Sequence, residues 1–127
     1  MTRPLSIFLD VAKGIEAVEN AVADIVGHSF VEQHSDSGSI YRLVAFYIDM
    51  RLFEDHGLEN DCGIKFAEYK YQLQLIPFQD GMAIPEFDAM YERLVMFLAA
   101  KLSNAMMCKS IVVANLQCQL AEFVPSY

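Results

Sequence analysis

Two alternating runs, residues 42–54 and 68–74, constrain this chain more than anything else in it. In the first, every second residue is apolar: Val44, Phe46, Ile48, Met50 and Leu52. A period of two puts that series on one face of a strand and Leu43, Ala45, Tyr47, Asp49 and Arg51 on the other. In the second, Tyr69, Tyr71, Leu73 and Leu75 alternate with Glu68, Lys70, Gln72 and Gln74. Aromatic and branched side chains suit a pleated, half-buried surface, and one polar face predicts a sheet that partly meets water.

Such a sheet needs amphipathic cover. Residues 12–26 supply it, with Ile15, Val18, Val22, Ile25 and Val26 in helical phase. Asp10 is the expected cap and Gly27 the left-handed stop. A second helix is expected over 85–103, opened by Pro85 with Glu86 and Asp88 near its positive end. Its stripe of Phe87, Met90, Tyr91, Leu94, Phe97, Leu98 and Leu102, widened by Val95 and Met96, predicts deep burial or a second contact such as a homodimer. Further strands are expected at 4–11, 29–33 and 109–123. The order β-α-β-β-β-α-β implies an α+β fold: a two-layer sandwich with a mainly antiparallel sheet, a ferredoxin-like variant, and both helices on one face. No linker or repeat interrupts residues 1–127, so a single domain is expected.

Composition narrows the function. A net charge of −8 and a pI near 4.7 remove any electrostatic reason to bind nucleic acid or an anionic membrane. They favour a basic protein partner. The three cysteines, Cys62, Cys108 and Cys118, form no CxxC and fit free thiols in a reducing cytoplasm. No secretory leader or bilayer-spanning run is expected, and no glycine motif calls for a cofactor.

Between the two runs lies the chemistry-bearing stretch: Glu54, Asp55, His56, Gly57, Glu59, Asn60, Asp61, Cys62 and Gly63. Four carboxylates within eight residues repel one another, so this loop is expected in water. As a metal site it would use Glu54, Asp55, His56, Glu59 and Asp61, but the spacing matches neither an EF-hand nor HExxH, and no metal is expected. His34 beside Glu32 or Asp36, or His56 in its acidic setting, could act as a general base, which keeps a small enzyme or ligand-binding domain as the alternative reading. No residue is assigned as catalytic. The reading that uses most of the surface is protein recognition by Glu54, Asp55, Glu59, Asp61 and Glu68, with Tyr69 or Tyr71 contributing where exposed.

In size, α+β order, acidity and the charged loop after Asp49, the whole chain resembles the immunity proteins of bacterial polymorphic-toxin and contact-dependent growth inhibition systems. That resemblance is one of profile, without a shared motif. It implies a cytosolic, non-catalytic protein that neutralises one cognate toxin, here expected to be a nuclease because a nuclease groove is basic.

Overall fold

The computed structural model describes residues 3–35, 38–54, 56–79 and 83–125. Its strands are β1 (Leu5–Asp10), β2 (Val31–Ser35), β3 (Gly38–Ala45), β4 (Ile48–Phe53), β5 (Tyr71–Pro77), β6 (Lys109–Ala114) and β7 (Cys118–Phe123). They make one seven-stranded sheet in the order β2-β3-β4-β5-β1-β6-β7, antiparallel between all neighbours. Helices α1 (Ile15–Val26) and α2 (Phe87–Met106) cover one face. The fold is therefore an α+β two-layer sandwich, as the pattern of elements required.

The alternation explains which side is covered. Leu5, Ile7 and Leu9 of β1, Ile48, Met50 and Leu52 of β4, and Tyr71, Leu73 and Leu75 of β5 point at the helices. They pack with Val18 and Val22 of α1 and with Tyr91, Val95, Leu98 and Leu102 of α2. Each such side chain, fully buried, contributes about 1.5–3 kcal/mol relative to exposure. The Tyr91 hydroxyl ties the layers together. It accepts the Leu5 N–H at 2.9 Å and donates to the Leu75 carbonyl at 2.7 Å, where β1 meets β5. Burial pushes its phenol far above the ordinary range.

Two expected strands are in fact hairpins, so the order gains two strands. The run 42–54 breaks at Phe46 and Tyr47, both left-handed (φ 56° and 61°), and the run 109–123 breaks at Asn115 and Leu116 (φ 52° and 57°). The first turn reverses the phase. Leu43 and Ala45 face the core before it and Ile48, Met50 and Leu52 after it, while Val44 and Phe46 are about half exposed. Tyr69 also leaves the expected series. It precedes β5 and packs on the sheet's other face, whereas Tyr71, Leu73 and Leu75 keep to the helix side. α1 starts at Ile15 with Gly14 as its cap, because Asp10 is spent as the last residue of β1, paired with Lys109. Gly27 closes α1 in the left-handed conformation, its N–H on the Ala23 carbonyl. The second helix begins after Pro85, at Phe87, and runs on to Met106. Its stripe is mainly core, yet Met90 and Phe97 remain exposed.

Candidate functional site

The segment from His56 to Lys70 lies over the outer face of the sheet. Ile64, Phe66 and Tyr69 are buried there against Phe8, Ile111 and Val113, with Leu58 and Leu116 at the margin. Phe8 is the centre of this cluster. Its ring lies 5.0 Å from that of Phe66 and meets His56 edge-on at 5.4 Å. Apolar residues spaced through an acidic stretch therefore act as anchors, and the charges ride above them.

Hydrogen bonds fix the segment between anchors. Asp61 and Ile64 exchange main-chain bonds at 3.0 and 2.8 Å across a turn with Cys62 and Gly63 left-handed. The Asn60 side chain accepts the Ala67 N–H at 3.0 Å, and a short 3-10 turn, Phe66–Glu68, follows. His56 Nδ1 accepts the Leu58 N–H at 3.0 Å, which leaves Nε2 to carry the proton and donate to the Tyr69 carbonyl at 2.7 Å. Both ring nitrogens are spent on backbone. His56 is a pin, with neither ring nitrogen left over for the acid–base work that the alternative enzyme reading would give it.

The five expected recognition residues divide as follows. Asp55 lies outside the described residues, as does Asp36. Glu54, Glu59, Asp61 and Glu68 are all exposed, but they do not form one unbroken ridge. Glu54 lines a shallow concavity with His56, Leu58, Tyr69 and Lys70, its carboxylate 3.4 Å from the Tyr71 hydroxyl. Glu68 lies near Lys65, 4.0 Å away, in a mixed-charge hollow with Lys109 and Glu122. Glu59 and Asp61 line a third concavity beside the Asn115–Gln117 turn and enter no ion pair among the described residues. Tyr69 and Tyr71 are buried and unavailable as anchors. Burial raises both phenols above their usual value, with Lys109 opposing the shift at Tyr69 and Lys70 at Tyr71. Among the described residues, no three His, Cys, Asp or Glu side chains converge to hold a metal ion.

Sequence reasoning missed the aromatic pair that is available. Phe46 and Tyr47 are 51% and 52% exposed at the β3–β4 turn. Strand registers put this turn at the same end of the sheet as the start of β1, the end of β5 and the β6–β7 turn. Glu59 and Asp61 sit beside the β6–β7 turn. At the usual strand spacing, three steps from β4 to β6 put the two turns roughly 15 Å apart. One end of the sheet thus carries both an apolar and an anionic element. Behind the aromatics, the Asp49 carboxylate is buried between two guanidiniums, Arg42 at 2.7 Å and Arg51 at 3.1 Å. The bond to Asp49, and then its charge, raise the Arg42 pKa. The missed signal was phase: Val44 and Phe46 align with Ile48 only if the chain runs straight through.

In comparisons with known proteins, this chain matches no family model, no curated protein and no solved structure. No helix among the described residues is long and apolar enough to cross a membrane.

Proposed function

We propose that this chain is a non-catalytic binding protein that neutralises a basic toxin domain, in the manner of an immunity protein, and that the end of the sheet carrying Glu59, Asp61, Phe46 and Tyr47 is its docking surface. The observation that carries the reading is the pinned acidic segment. Glu59 and Asp61 are exposed on backbone already fixed by hydrogen bonds and buried aromatics. A surface ordered before binding loses little conformational freedom on association, so charge attraction is not offset by ordering. The aromatic turn supplies rigid apolar area of the type that dominates interface energies.

On this reading the carboxylates stand where phosphates would lie in a nuclease groove, and the fold blocks the groove sterically. The place of action would be the cytoplasm, where such a toxin would meet nucleic acid. The natural candidate partner is a basic domain encoded in the neighbouring reading frame. The test is co-expression of that domain with this chain, with Glu59→Lys/Asp61→Lys and with Phe46→Ala/Tyr47→Ala. Protection of growth by the parent chain and its loss in both folded variants is the expected result. Full protection by both variants would remove this surface from the account.

A further inference from the structure

The two edges of the sheet are built differently. β7 carries a bulge opposite Val112 and Val113, and Glu122 on it is paired with Lys109 at 2.8 Å. A bulge and charges at an edge disfavour addition of another strand. β2, at the far edge, pairs only with β3 among the described strands and reads VEQHS, without proline, lysine or a bulge. Val31, Glu32, Gln33 and His34 are all exposed. An open edge of this kind offers its outward main-chain groups to an incoming strand.

The sequence of β2 also says which strand fits. About a two-fold axis through Gln33, perpendicular to the sheet, Val31 faces the partner's Ser35, Gln33 faces the partner's Gln33 and Glu32 faces the partner's His34. A carboxylate then meets an imidazole donor twice, on the face where Glu32 Oε2 and His34 Nε2 of one chain already lie 3.6 Å apart. That face is acidic. Glu19 of α1 has its carboxyl raised by burial, then by Glu16 and by Glu32. A strand presenting a carboxylate opposite Glu32 would be repelled, whereas a second copy brings His34 to that position.

We propose that β2 pairs antiparallel with β2 of a second copy, centred on Gln33, so that two seven-stranded sheets join into one continuous sheet in a two-fold homodimer. Main-chain hydrogen bonds supply the adhesion and the Glu32–His34 pairs set the register. Salt screens the repulsion between two chains of net charge −8, so this association survives salt that would weaken docking of a basic partner. The contact uses neither Glu59 nor Asp61, and either proposal can fail without the other.

Sedimentation equilibrium of the intact chain from about 1 μM to about 1 mM, a range that brackets weak self-association, tests it. Glu32→Lys sets a lysine against the partner's His34, and His34→Glu sets two glutamates opposite each other. Each is expected to weaken the dimer by about five- to tenfold, and the double swap Glu32→Lys/His34→Glu is expected to restore it. Directly opposed strand residues lie within disulfide reach. Gln33→Cys, with Cys62 and Cys118 replaced by serine, should therefore cross-link to itself under mild oxidation. A monomer throughout the range would overturn the proposal. So would a dimer indifferent to all three charge variants that yields no Gln33→Cys cross-link, which would place the contact elsewhere, for instance on the exposed Met90 and Phe97 of α2.

Discussion

The outer face of the sheet has two halves that meet water differently. Over β1 and β6 it carries Phe8, Ile111 and Val113, and the His56–Lys70 segment seals them. Over β3 and β4 it carries Arg42, Asp49 and Arg51, and Val44 remains half exposed. One face of the sheet thus presents apolar residues where a segment covers it and a charge network where no described segment does. Gln72 and Ser6 mark the seam, bonded to each other at 3.2 Å and buried. The lesson is that the acidic loop is part of the packing. Its charges are held outward because its aromatics are held inward.

Breaking the sealed half should have the largest effect. Phe66→Ala removes an anchor against Phe8 and should cost about 3–5 kcal/mol in urea unfolding, the usual range for a buried aromatic. Hydrogen exchange should at the same time speed up at the Leu58, Ala67 and Tyr69 amides. A loss under about 1 kcal/mol would mean that the segment rests on the sheet without stabilising it.

Alkali probes the sealed regions next. Burial pushes the Cys108 thiol up to about 11 from an ordinary 9.0. A group whose folded pKa is raised keeps its proton longer in the folded state, so its contribution is complete below about 9 and is lost as pH rises toward about 11. Tyr69 is raised in the same direction. Thermal midpoints should therefore fall on passing from pH 8 toward pH 11, a range set by the rule that raised acids lose stability upward. At neutral pH a thiol reagent should modify Cys62 and Cys118 quickly and Cys108 only on unfolding, since the first two are exposed and the third is buried.

The open half should respond less. Asp49→Asn leaves two partly exposed guanidiniums without their shared charge. Water can replace part of what is lost, so the drop in unfolding midpoint should be smaller than for Phe66→Ala. If Asp49→Asn proved the more damaging change, the ranking of the two halves would be reversed. Smallest of all should be Glu59→Lys/Asp61→Lys, within about 0.5 kcal/mol in stability because both carboxylates are exposed surface.

Much of this architecture was legible in the residues. The apolar phase of β1, β5 and both helices, and the stop at Gly27, follow from periodicity and cap chemistry. The Phe46–Tyr47 turn does not. Tight hairpins usually declare themselves by glycine or asparagine, and two bulky aromatics in the left-handed region cost about 1–2 kcal/mol each. The fold accepts that strain because the reversal buries Leu43 and Ala45 together with Ile48, Met50 and Leu52. Only tertiary packing reveals such a gain. The site was legible in type and not in arrangement. Glu54, Glu59, Asp61 and Glu68 are exposed as expected, but Lys65, Lys70 and Lys109 come among them through the fold. His56 looked like chemistry because its two backbone bonds, to Leu58 and Tyr69, are invisible in a linear reading.

The most direct test of the proposed recognition by the pinned acidic segment is the association rate with the candidate basic domain from the neighbouring reading frame, followed by stopped flow as salt is raised. For the parent chain the rate is expected to fall steeply with salt. For Glu59→Lys/Asp61→Lys it should be at least about tenfold slower at low salt and nearly flat across the series. Equal rates and equal salt slopes for the two proteins would contradict it.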